Sequence, residues 1–200
     1  ALRVLKQVSS ITQSVFLAYE KGWMVWSQLY LDESECLEQI KIMKREASDL
    51  NYSVVYPDKE RIQIIDNTTG KLMLLLNSEK EVKVKPKEVK GKVSSLQYKG
   101  KKYRGDIIMQ SLEESDVTVI NELPFDHYLY SVVPSEMPSS WHIEALKAQA
   151  VAARNFALVT MGRHGAHGFD LCSTEHCQAY NGLAQENSAA TEAVNATKGK

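Results

Sequence analysis

Residues 126–154 read DHYLYSVVPSEMPSSWHIEALKAQAVAAR, and both ends of this stretch have helical texture. Pro124 and Asp126 open a first, short helix with Leu129, Val132 and Val133 on one face. Pro134 is expected to stop it, since proline lacks the amide that a helix interior needs. Ser140 is placed to cap a long second helix, where Ile143, Leu146, Ala150, Ala153 and Ala157 recur at steps of three and four. The many alanines allow that helix to pack close to its neighbours. Between the helices, Pro134 and Pro138 bracket Ser135-Glu136-Met137 and put Glu136 at a stiff corner near Trp141.

Glu136 admits two readings. In an apolar, partly dry corner its neutral form is favoured, which suits a general acid acting on a glycosidic oxygen. As a glutamate just before Ser139-Ser140, it is a cap for a helix N-terminus, the reading that the residues by themselves favour.

Downstream, the chain concentrates metal-type donors: HGAHGFDLCSTEHC spans residues 164–177. Two thiolates and two imidazoles complete a tetrahedral zinc site, and the Cys-x4-Cys spacing permits it. His167, Cys172, His176 and Cys177 are the preferred ligands, with His164 in reserve. Four protein donors leave no position for water, so such a zinc is structural. Two alternatives stand beside it, a local disulfide between Cys172 and Cys177 and a pair of free thiols.

Upstream, residues 93–98 and 103–110 bracket Lys99-Gly100-Lys101-Lys102 as a hairpin, and residues 117–123 make a third strand. Six lysines between positions 80 and 92, with Pro86 among them, mark a basic linker or edge strand. That segment meets an anionic polymer or is simply a solvated face. The first 79 residues read as a small α+β lobe. Strands are expected at 15–19, 24–26, 53–56, 61–65 and 71–76, with turns at Lys21-Gly22, Pro57-Asp58 and 67–70. Asp32 and Glu35 open a helix whose stripe is Cys36, Ile40, Met43, Ala47 and Leu50.

Composition bounds the rest. The 200 residues carry 24 basic and 25 acidic side chains, a balance that argues against a dedicated nucleic-acid binder. The longest aliphatic run, residues 72–76, is far short of the roughly 20 needed to span a bilayer. No targeting segment is visible at Ala1–Leu5. The fold class is α+β, in three parts: a lobe at 1–79, a basic segment at 80–92 and a strand-plus-helix domain at 93–200.

HYLYSVVPSEMPSSW followed by EALKAQAVAAR resembles the signature of the stage II sporulation protein D family, the SpoIID/LytB domain. The similarity runs from Tyr103-Arg104-Gly105 through Val119–Pro124 to Thr197-Lys198-Gly199. It implies a lytic transglycosylase that cuts peptidoglycan glycan strands, notably strands stripped of stem peptides, during engulfment in sporulating cells. It also implies an extracytoplasmic location, a cell-wall amidase as partner and no organic cofactor. The alternative it carries is a non-catalytic wall-binding module that enhances such an amidase.

By the same resemblance the glutamate of the PSEM motif, Glu136, is catalytic. Lys147, Gln149 and Arg154 of the matched helix are candidates for substrate binding, Arg154 being well shaped for a lactyl carboxylate. The DLCSTEHCQAY segment resembles that of family members that hold zinc. Family members usually continue into further strands, so the resemblance implies a domain incomplete at Lys200. The layout of the N-terminal lobe resembles a SPOR-type peptidoglycan-binding domain.

Overall fold

The computed structural model describes residues 1–12, 15–19, 22–27, 32–56, 61–77, 81–88, 90, 93–111 and 117–200. The architecture is α+β, and the chain divides into two compact units. One comprises Ala1–Glu81; the other takes in Val82–Leu112 and Val117–Lys200.

In the first unit, helix α1 (Leu2–Val8) precedes a hairpin of β1 (Val15–Tyr19) and β2 (Trp23–Ser27). Helix α2 (Glu33–Glu46) starts where its cap predicts, with the Asp32 carboxylate accepting from the Glu35 amide at 2.9 Å. Strands β3 (Arg61–Ile65) and β4 (Leu72–Asn77) complete a four-stranded sheet in the order β2-β1-β4-β3. The β1–β4 pairing is parallel and the other two are antiparallel. Met43 of the α2 stripe packs with Val8 and Val15, while Phe16, Ala18, Trp26 and Leu75 form a separate cluster.

The turn before β4 is built by Asp66, which accepts from the amides of Thr68 and Thr69, with Gly70 at φ +67°. The strand expected at 53–56 does not form; that stretch is irregular. Pro57-Asp58 and Lys21 lie outside the described residues.

The second unit begins with β5 (Val82–Val84), which pairs antiparallel with β8 (Asp106–Ser111); β8 in turn pairs with β9 (Val117–Glu122). Part of the basic segment is therefore an edge strand. Lys83 is paired with Glu122 at 2.5 Å and Asp106 at 3.6 Å, and Lys85 lies 3.7 Å from Asp106. The expected hairpin is shorter than its sequence pattern. It joins β6 (Leu96–Tyr98) to β7 (Lys101–Tyr103) through Lys99-Gly100, both in the left-handed region. Gly105 at φ +73° then breaks the chain before β8.

Three helices carry the core of this unit: α3 (Phe125–Glu136), α4 (Ile143–Thr160) and α5 (Ser188–Ala196). Leu129, Val132 and Val133 of α3 meet Leu146, Ala150 and Ala153 of α4 and Ala190, Ala193 and Val194 of α5. Small residues on α4 and α5 let the helix axes approach closely.

Two expected boundaries are corrected. Pro134 lies inside α3, which runs on to Glu136, because a proline in the last turn removes only one amide. The cap of α4 is His142, whose Nδ1 accepts from the Glu144 amide at 3.3 Å, and not Ser140.

Candidate functional site

Glu136 is the last residue of α3, and its side chain is exposed. The dry corner expected between two prolines is absent, because the helix carries the carboxylate outward past Pro134. Among the described residues one partner holds it: the backbone amide of Ala179 donates to Oε1 at 2.9 Å. Beside it, Ser135 donates to the Ser131 carbonyl at 2.8 Å and is within 3.4 Å of the Asn181 side-chain amide. Lys101 of β7 donates to the other end of Asn181 at 3.3 Å.

Ala179 belongs to a segment, Cys177–Asn181, that is fastened at almost every residue. Gln178 is 6% exposed; its Nε2 donates to the Ala153 carbonyl of α4 at 3.2 Å, and its Oε1 accepts from Tyr128 of α3 at 3.1 Å. Tyr180 donates through its hydroxyl to Asn121 of β9 at 2.8 Å and through its amide to the Ser173 carbonyl at 3.2 Å. The Tyr128 and Tyr180 rings stack at 5.3 Å, and burial pushes both phenols well above their ordinary range. The Asn181 amide donates to Ser131 Oγ at 3.3 Å. Sequence reasoning overlooked Tyr128, Gln178 and Ala179. No local signal marks them, since the burial and the partners of Gln178 are set by residues 25 and 50 positions away.

The donor cluster stands immediately before this segment. His164, Cys172, His176 and Cys177 present ligand atoms that all lie within 4.8 Å of one another. Cys177 Sγ is 3.3 Å from His164 Nε2 and 3.7 Å from His176 Nδ1, and Cys172 Sγ is 3.6 Å from His176 Nδ1. Bonds of about 2.0–2.3 Å to a tetrahedral zinc put donor atoms roughly 3.3–3.8 Å apart; three of the six donor pairs already stand at 3.3, 3.6 and 3.7 Å, and the set needs at most a small contraction to hold such an ion.

The two thiols are free, not joined as a disulfide. Burial pushes the Cys177 thiol up. At Cys172 burial is outweighed by hydrogen bonds from Thr174, His176 and Cys177, which bring that thiol down. The histidine brought to the cluster from the preceding loop is His164, where the sequence favoured His167. His164 sits at the loop's neck, bridged to Phe169 and stacked on its ring at 4.9 Å, whereas His167 is exposed in the loop beyond it.

The substrate-binding candidates disperse. Arg154 is 6% exposed, and its guanidinium donates to the carbonyls of Val194 and Thr197, so it braces the end of α5. Lys147 is paired with Glu144 at 2.8 Å on the same helix, and this engages the carboxylate nearest in sequence to Glu136 along α4. Gln149 is half-buried on α4.

The helical pair α3 and α4 thus presents the exposed Glu136, with a His/Cys cluster ahead of the strap that holds it. Residues 113–200 match the family model described as Stage II sporulation protein. An uncharacterized protein of Brachyspira hyodysenteriae is 36% identical over 100 residues, covering 50% of this chain and 27% of that protein. The amidase enhancer of Bacillus subtilis is 43% identical over 72 residues, covering 36% of this chain and 9% of its own length. Stage II sporulation protein D of Bacillus subtilis is 37% identical over 70 residues, covering 33% of this chain and 20% of its own. The chain thus spans little more than a quarter, at most, of these relatives. No solved structure matches. Among the described residues, no helix is long and apolar enough to cross a membrane.

Proposed function

We propose that this chain is part of an extracytoplasmic lytic transglycosylase acting on peptidoglycan glycan strands in sporulating cells, with Glu136 as its single acid/base. The observation that carries the reading is an exposed carboxylate at the end of a rigid helix, held through one oxygen by the Ala179 amide. Among the described residues none is bonded to the other oxygen, which is left for chemistry. Glu136, protonated, gives its proton to the leaving glycosidic oxygen as the bond from C1 breaks. The resulting carboxylate removes the proton from the muramic C6 hydroxyl, whose oxygen bonds to C1. One C–O bond is exchanged for another, no water is consumed, and the product ends in a 1,6-anhydro sugar. A second catalytic carboxylate, which ordinary glycosidases require, has no part in it.

Zinc held by His164, Cys172, His176 and Cys177 is structural in this reading: it ties the loop after α4 to the segment that carries Ala179. His167 does not take part.

The second reading has its own support in the relative named amidase enhancer. Here the unit binds glycan, promotes the action of a cell-wall amidase, and Glu136 does no chemistry. Incubating the purified chain with peptide-free glycan strands and weighing the products separates the two. Anhydro-ended fragments that disappear in Glu136→Gln support the transglycosylase. Glycan binding without cleavage, equal in wild type and variant, supports the enhancer.

A further inference from the structure

Gln178 is a polar side chain held in the interior of the second unit. It is 6% exposed and sits between α3 and α4. A buried primary amide is costly unless its donor and acceptor ends are both satisfied. Both are: Tyr128 of α3 donates to Oε1 at 3.1 Å and Nε2 donates to the Ala153 carbonyl of α4 at 3.2 Å. The Ala153 carbonyl already lies within a regular helix, so the amide uses its second lone pair. The clamp therefore adds nothing that helix formation itself needs. What it fixes is the backbone of residue 178, and the next amide along that backbone is the one that donates to Glu136 at 2.9 Å.

Tyr128 and Glu136 lie eight positions apart on the same helix, α3. The path from Tyr128 through Gln178 to Ala179 and back to Glu136 closes a ring in which α3 fixes the strap and the strap fixes the carboxylate. We propose that Gln178, with Tyr128, is a positioning residue for the acid/base: it sets the Ala179 amide, and through it the direction in which the Glu136 carboxylate is offered. The catalytic consequence rests on the transglycosylase reading; the positioning itself does not. An exposed glutamate otherwise samples several rotamers, and an orientation error of about 1 Å costs on the order of a hundredfold in rate.

Residue-resolved amide exchange on the full chain tests the positioning first. In wild type the Ala179 amide is protected by Glu136. Glu136→Ala, Gln178→Leu and Tyr128→Phe each speed its exchange on the order of tenfold, while the amides of residues 150–157 in α4 keep their wild-type rates. Tyr128→Phe keeps the ring stacked on Tyr180 and removes one hydroxyl, so it remains informative if Gln178→Leu does not fold. In the glycan assay both clamp variants lower kcat by about 10- to 100-fold with KM unchanged. Unchanged Ala179 exchange in Tyr128→Phe overturns the proposal. So does acceleration that spreads equally through α4, which signals general destabilisation. Failure of the wild-type chain to cut glycan counts against the transglycosylase reading alone and leaves the exchange result standing.

Discussion

Arg154 in α4 donates to the carbonyl of Thr197, 43 positions later, at 3.0 Å, and to that of Val194 at 3.2 Å. The last carbonyls of a helix have no partner within it, and here a buried guanidinium supplies one. Replacing Arg154 with methionine keeps most of the volume but removes the charged donor from both carbonyls, leaving that of Val194 to the Thr197 amide and hydroxyl and that of Thr197 to the Lys200 amide. It is expected to cost about 2–4 kcal/mol, read from the midpoint of denaturant unfolding. Arg154→Lys recovers part of the loss, since an ammonium does not span both carbonyls. A ligand role for Arg154 predicts the opposite pattern: unchanged stability and weakened glycan binding.

The donor cluster predicts about one zinc per chain by elemental analysis. Cys172→Ser, Cys177→Ser and His164→Ala lose the metal, and His167→Ala keeps it. Chelation lowers the unfolding midpoint of wild type and leaves that of the Cys177→Ser variant unmoved. Zinc retained in His164→Ala but lost in His167→Ala restores the ligand set first read from the sequence. A mass two protons light, with no metal, indicates a disulfide instead.

The features legible in the sequence are those set by neighbours in the chain. The start of α2 follows from Asp32 capping Glu35, three residues on. The core faces of α3 and α4 follow from the spacing of Leu129, Val132, Leu146, Ala150 and Ala153. Glu136 was visible as the one carboxylate in a proline-bracketed motif. What stayed hidden depends on partners far away in the chain. Arg154 looks like a ligand residue until Thr197 is folded onto it. Gln178 has no local role, since its partners, Tyr128 and Ala153, lie 50 and 25 positions back. The choice between His164 and His167 turns on how the loop doubles back at Phe169, which residue spacing alone does not determine.

Among the described glycines of the second unit, Gly105 makes the tightest approach to another stretch of backbone. Its φ is +73°, and a Cβ there would run into the Glu122 carbonyl and lie 2.7 Å from the Leu123 Cβ. A left-handed conformation costs a non-glycine residue roughly 1–2 kcal/mol, and backbone overpacking adds about 1–3 kcal/mol. Gly105→Ala is therefore expected to destabilise the chain by about 2–5 kcal/mol in denaturant unfolding. Gly100→Ala is the control: its φ is +78° but a Cβ there meets nothing within 4 Å, so only the conformational cost applies. Equal losses in the two variants would show that the approach to Glu122 is not tight.

His127 gives the fold a pH dependence of defined sign. Burial, and next the Arg104 guanidinium, hold its pKa below the ordinary histidine value, while Glu186 and Asp126 oppose the shift more weakly. Arg104 itself is tied to Glu186 by two hydrogen bonds of 2.5 Å, which keeps the positive charge close. A histidine whose folded pKa is depressed binds fewer protons folded than unfolded. Stability is full above the unfolded value of about 6.5 and falls as pH drops from there to the folded pKa. Urea unfolding at a series of pH values between about 5 and 8 reads this directly. His127→Gln keeps a polar side chain, cannot be protonated there, and so flattens the slope relative to wild type. The metal-cluster histidines contribute equally to both proteins, so the difference between the curves isolates His127. Parallel curves would mean that His127 gains its proton as easily folded as unfolded, and that neither burial nor Arg104 acts on it.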